Sequence, residues 1–282
     1  MSYRNISSRA LPGLIIMIID HSYMMDMHKI NMQSISTIDL LLNALMEEWR
    51  LKLMECNSDG EDIVRDLLYL CCIVHKAGTA YVYKEGPVSS FEDAPKVVVP
   101  AEILGCTLEM SINIQTDNAE NSNLTQALIL AKQRILEWKF AHIQDIENMS
   151  IPMVLNFLNR PVITENLKDL ECAANALTNI PFPDGKPLLL NILLGKNYEG
   201  IFFPKCVQEM GIYSAEASVL FRISSIFDKQ LKERNEEKLI LCDNAHWLAL
   251  ENGCRLIVGG DVQHIFSAIV GFPMWIHLRG IE

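Results

Sequence analysis

The sequence contains no CxxC pair, no HExxH, no GxSxG, no P-loop and no GxGxxG. With them go the short signatures of paired-thiol redox sites, zinc proteases, serine-hydrolase elbows and nucleotide phosphate cradles. Basic residues are in deficit: 24 Lys and Arg stand against 35 Asp and Glu, a formal net charge of −11. A general nucleic-acid binder needs a basic face to displace counterions from phosphates, so nucleic acid is not an expected partner. The apolar run nearest the start, Leu14 to Ile19, is far too short to span a bilayer, and no membrane partner is expected. Eight cysteines are scattered at positions 56, 71, 72, 106, 172, 206, 242 and 254 without a dense framework. The opening Met1-Ser2-Tyr3-Arg4 lacks the shape of a signal peptide, so free thiols in a reducing cytoplasm are the expected state.

What is present is an ordinary globular composition, half hydrophobic and 21% charged. Leu14-Ile15-Ile16-Met17-Ile18-Ile19 is a continuous apolar run enriched in β-branched residues, ending abruptly in Asp20-His21-Ser22. Strands buried on both faces of a parallel sheet have this form, whereas half-exposed strands alternate. Positions 38, 41, 42, 45, 49 and 53 keep helical spacing and predict a helix to about Met54, with Ser36 or Thr37 as its N-cap. Residues 67–74 and 79–83 read as two strands joined by a tight turn at Gly78, and 86–100, with three prolines, as a surface loop. A second helix runs from Leu124 to Trp138. The second half repeats the rhythm: strands at 153–158, 188–194 and 256–258, helices at 165–177, 214–236 and 262–270. Strands alternating with helices imply crossover units. The expected fold is α/β, a doubly wound and mainly parallel sheet with helices on both faces and one antiparallel edge strand. No stretch of Gly, Ser or Pro is long enough to divide residues 1–282 into two domains.

In such a sheet, ligands bind outside the carboxyl ends of the strands, where chain order reverses. Asp20 and Ser22 leave the first strand at that end, Asn159 leaves a later one, and Ser122 precedes a helix on the same rim. A carboxylate, two hydroxyls and an amide are oxygen donors of the kind a hard cation such as magnesium takes. Asp, Ser and Asn after strands are equally the ordinary residues of turns and N-caps, where they satisfy orphan amides.

Arg9-Ala10-Leu11-Pro12-Gly13-Leu14, the apolar strand and Asp20-His21-Ser22-Tyr23-Met24-Met25 together resemble the opening of bacterial von Willebrand factor A (VWA) proteins. In that family the strand ends in a metal-ion-dependent adhesion site of pattern DxSxS followed by Met. Further segments keep the family's order. Leu124 to Trp138 looks like the helix after the metal-site threonine, and Pro152 to Arg160 like the strand that normally ends in Thr-Asp-Gly. Leu220 to Ser225 and Val262 to Phe272 resemble late segments of a cytoplasmic group similar to tellurite-resistance-associated VWA proteins. The resemblance covers most of the chain through an ordered set of individually weak motifs.

Departures from the family pattern matter as much. Met24 stands where the third ligand is normally serine, and a thioether is a poor partner for magnesium. Ser122 takes the threonine position behind Glu120 and Asn121 instead of glycines, and Asn159 replaces the second aspartate, removing a negative charge. The site is therefore read as degenerate at Asp20, Ser22, Ser122 and Asn159, with no cofactor expected and magnesium the one candidate. What the resemblance implies is a non-catalytic interaction module, an adaptor or scaffold in a bacterial cytoplasmic stress-response or defence complex. The family's cytoplasmic group is often encoded beside protein kinases and metal-dependent phosphatases, so the expected partner is another protein: a kinase, a phosphatase or an assembly subunit. Contacts would fall on Tyr23, Met24, Met25 and Arg160. Methionines on a rim mould to a partner; the alternative is that they tuck under a neighbouring helix.

Two other readings stand beside this one. A metal- or nucleotide-dependent enzyme on the same sheet would need a phosphate cradle or carboxylate cluster, and a structural subunit would differ from an adaptor in stoichiometry. Cys71, Cys72 and His75 are the only hint of a zinc cluster, but consecutive strand residues point to opposite faces, which favours a buried structural role.

Overall fold

The computed structural model describes residues 7–8, 10–21, 27–30, 33–76, 78–92, 94–114, 123–158, 166–194, 200–226, 256–259 and 262–269. Among these the strands of the central sheet are β1 (Gly13–Asp20), β6 (Leu68–Lys76), β7 (Thr79–Pro87), β10 (Met153–Leu158), β11 (Leu188–Leu193), β12 (Ile201–Phe202) and β13 (Leu256–Val258). Three short hairpins are β2 (Met27–Ile30) with β3 (Gln33–Ser36), β4 (Met54–Cys56) with β5 (Asp62–Val64), and β8 (Lys96–Val98) with β9 (Thr107–Glu109). The helices are α1 (Thr37–Leu53), α2 (Leu124–Ala141), α3 (Leu167–Thr178), α4 (Ser214–Ile223) and α5 (Val262–Ile269).

All eight residues of β1 are buried. A strand without a polar face needs a neighbour on each side and cover above and below, which is what the uninterrupted apolar run dictates. β1 is paired in parallel with β6 on one side and β10 on the other. The full order is β12-β13-β11-β10-β1-β6-β7. Without β12, reading from β7, the strands follow one another as 3-2-1-4-5-6 in chain order, the doubly wound arrangement. Crossovers between parallel strands are right-handed, and those leaving β1 and β10 run in opposite directions across the sheet, so α1 and α3 fall on opposite faces. The contacts agree: α2, α3 and α4 pack in succession, while α1 packs with α5.

One antiparallel edge is predicted from the sequence; the described residues form two, β7 against β6 and β12 against β13. A two-residue strand is too short for any periodicity to reveal. The predicted surface loop at 86–100 is also more ordered than its prolines suggest. Pro87 closes β7, Pro95 precedes β8 and Pro100 follows it, so proline here punctuates strands instead of excluding them. Val88 and Phe91 between them are wholly buried.

Helix α1 starts where Ser36 Oγ accepts the amide of Asp39 at 3.0 Å. It is buried nearly all round, since the sheet covers one side and hairpins cover the other. Leu41, Leu42, Leu45 and Trp49 join the main core. Leu40 and Ala44 join a smaller cluster with Ile30, Ile35, Val97, Val99, Leu108 and Met110. Asn43 fastens the chain after β9 to this helix. Its Nδ2 donates to the carbonyls of Asp39 and Ile112, both at 2.7 Å, and its Oδ1 accepts the amide of Ile112 at 3.0 Å.

On the opposite face a line of polar groups crosses the core. Asn156 on β10 donates through Nδ2 to Asn191 Oδ1 on β11 at 2.7 Å, and Asn191 Nδ2 donates to Ser224 Oγ at 2.8 Å. Ser224 Oγ in turn donates to the carbonyl of Leu220. A separate bond marks where α4 stops. Its pattern predicts a helix to Glu236, but the helix ends at Ile223, where the amide of Ser225 leaves to bond Leu189 O on the sheet at 3.0 Å. Residues 227–236 of that prediction lie outside the described residues.

Candidate functional site

The strand order reverses between β1 and β10, so the carboxyl ends of these two strands form the crevice where a doubly wound sheet binds ligands. Asp20 is the last residue of β1 and is wholly buried. Register places Ile19 beside Phe157, so Asp20 is level with Leu158, where β10 ends. On its other side Asp20 is paired with His75 of β6, the Nδ1 of the imidazole lying 4.0 Å from Asp20 Oδ1. The amide of His21 donates to the carbonyl of His75 at 3.0 Å, which closes the β1–β6 ladder at its tip. His21 and His75 are as buried as the aspartate.

The third wall comes from α2. Asn123 is its N-cap, accepting the amide of Gln126 on Oδ1, and its Nδ2 donates to the carbonyl of Gly78 at 2.9 Å. Gly78 lies in the turn between β6 and β7, with φ +75°, a conformation glycine adopts without strain. One asparagine thus fixes the amino end of α2 to the tip of β6, beside the imidazole that faces Asp20. The positive end of the helix dipole is brought to this end of the sheet by a local cap and by a long-range bond to the β6–β7 turn.

Of the residues singled out in the sequence, Asp20 occupies the rim in the described structure. Ser22, Ser122 and Asn159 lie outside the described residues, as do Tyr23, Met24, Met25 and Arg160. Their described neighbours, Asp20 and His21, Asn123, and Leu158, come together at the same end of the sheet. The capping role open to Ser122 in α2 belongs to Asn123, one residue later.

Sequence reasoning missed His75 at this site, having weighed it only with Cys71 and Cys72. The available signal was the register of two parallel strands: aligning Leu68 with Gly13 puts His75 opposite Asp20. The two cysteines are wholly internal to β6. Burial, with Glu85 adding to it, pushes the Cys71 thiol up to about 12, and burial pushes Cys72 up as well. Both are protonated thiols of low reactivity, in keeping with a packing role. Among the described residues, no three His, Cys, Asp or Glu side chains converge to hold a metal ion. Among them, too, no helix is long and apolar enough to cross a membrane.

The chemistry offered by this rim is that of a rigid, largely buried platform. A carboxylate and two imidazoles are held by the sheet ladder, and the amino end of α2 is fixed at the same end of the sheet. No protein-family model matches the chain, and no curated protein matches it.

Proposed function

We propose that this protein is a non-catalytic interaction module of the VWA type. It acts as an adaptor or scaffold in a bacterial cytoplasmic stress-response or defence complex, and its rim at the ends of β1 and β10 binds a partner protein. One observation carries the reading: Asp20 sits wholly buried at the tip of the central strand, at the point where strand order reverses. The resemblance expects its first metal-site aspartate in that place, and the antiparallel strand β7 at the β6 edge also fits a VWA sheet. With Met24 and Asn159 weakening the cation's shell, docking rests on polar and apolar contacts around Tyr23, Met24, Met25 and Arg160. A protein kinase, a phosphatase or a subunit of a larger assembly is the partner this reading favours.

The test is a crosslink from the rim. A photo-reactive residue at position 25 should capture one defined protein from the native host, and the same residue at Val98, which is 62% exposed on β8, should not. Arg160→Glu and Met25→Asp should each weaken that capture about tenfold or more while leaving the melting temperature unchanged. Capture that survives both substitutions removes the rim from the account. On chelator-stripped protein, calorimetry with magnesium or manganese should give no micromolar binding; such binding, abolished in Asp20→Asn, would restore a working cation site.

A further inference from the structure

At the other end of the sheet, beside the amino-terminal half of β1, a cleft of about 280 Å³ opens between the sheet and the last two turns of α2. Leu14, Tyr69 and Glu85 come to it from three adjacent strands, and Arg134, Glu137 and Trp138 from the helix. Its volume is close to the lower bound of small-molecule sites, so it admits one ring or one side-chain head. An aromatic ladder lines it. The Tyr69 and Trp138 rings lie 4.8 Å apart at 40°, and Trp138 and the His142 ring 4.3 Å apart at 45°.

Charge decides what such a cleft accepts. Arg134 donates to Glu137 Oε2 at 2.9 Å and lies 3.8 Å from Glu85 Oε2, so one guanidinium is set against two carboxylates and the lining is formally −1. Burial first and then the Glu85 carboxylate push both the Tyr69 phenol and the Cys71 thiol upward, so the groups around the cleft resist becoming anions. Aromatic faces add negative potential of their own. Among the described residues, the lysines that lie over rings are elsewhere, Lys84 over Phe91 and Lys139 over Phe182. Among the described residues, no cation of the chain lies over Tyr69 or Trp138.

From this geometry we propose that the cleft is a binding site for an organic cation, an amidinium or guanidinium whose flat face lies against the Tyr69–Trp138–His142 ladder and whose N–H groups reach Glu85. The site is independent of the rim and of the function proposed for it. The shared chemistry has two sources, a free small cation or the arginine of a protein segment, and the probes separate them.

Benzamidine, benzoate and benzyl alcohol are titrated into the full-length protein while indole and amide resonances are followed. Benzamidine should give saturable shifts at the Trp138 indole, with neither the anion nor the neutral alcohol doing so. Glu85→Gln should weaken benzamidine about fivefold and Trp138→Leu about tenfold, the sizes of one lost charge-assisted contact and one lost cation–π face. Thermal melts check that both variants are folded. A tripeptide Gly-Arg-Gly blocked at both ends is then compared with its citrulline counterpart. Tighter binding of the arginine peptide than of benzamidine assigns the cleft to a protein segment, and the reverse order to a free cation. Equal shifts from benzoate or benzyl alcohol, no saturable shift with benzamidine, or an affinity indifferent to both substitutions overturns the proposal.

Discussion

In Asn43→Ala the unfolding free energy is expected to fall by about 3–5 kcal/mol, a large share of the stability of a single domain. Asn43 is 1% exposed, and its amide is the hydrogen-bond partner of both the N–H and the C=O of Ile112. Alanine leaves those two backbone groups buried without that partner, and each such group costs about 1–3 kcal/mol. Asn43→Leu fills the volume but repairs neither bond, so it should recover little. Urea unfolding with an unchanged m-value measures the loss, and a change below about 1 kcal/mol would mean that water reaches Ile112 in the variant. The effect should extend beyond stability. The chain runs on from Ile112 through the residues that lead to α2 and its amino terminus, so hydrogen exchange at Ile112 and at the first turn of α2 should accelerate together.

The second large effect is a dependence of stability on pH set by Asp39. Its carboxyl is buried at the start of α1, and desolvation raises it to about 7, against the opposing pull of hydrogen bonds from Ser36 and from the backbone of Ile114. The folded state therefore holds a proton between about pH 4 and 7 that the unfolded chain has released. A group raised in this way contributes stability fully present below its unfolded value and lost as pH rises through the folded one. The slope reaches at most about 1.4 kcal/mol per pH unit, and the whole contribution is about 4 kcal/mol. The protein should be more stable at pH 5 than at pH 8 by up to about 3 kcal/mol, and Asp39→Asn should remove most of that difference. If the variant keeps the wild-type pH profile, the gain at acid pH belongs to other groups.

Asp39 and Asn43 show where sequence reading stops. Both sit inside the apolar pattern of α1, and nothing in their spacing says that the segment after β9 will lie against them. What is legible is what one element fixes alone. The run Leu14–Ile19 has no polar face, so a central strand is the only home for it, and Asp20 at its end is legible for the same reason. The cap at Ser36 and the period of α1 are equally local. The hairpins β2–β3 and β8–β9 are not, because strands of three or four residues carry too little alternation to distinguish them from loop. His75 needs the register of two strands, and the cleft needs Tyr69, Glu85 and Trp138 from three elements; neither exists until the sheet has closed. The end of α4 fails for another reason. Its helical pattern continues, but Ser225 leaves the helix for the sheet, its amide donating to Leu189 O and its hydroxyl accepting the amide of Leu189.

The paired amides of Asn156 and Asn191 have a consequence for assembly. Parallel strands made almost wholly of Leu, Ile, Val and Met are chemically monotonous, and sliding one past the next by a residue would cost little in burial alone. Sliding β11 by one position against β10 would set each amide beside a leucine, isoleucine or phenylalanine and strand both in the dry interior. The two asparagines therefore act as a key and its slot, surrendering some hydrophobic gain so that only one alignment of the sheet is tolerated.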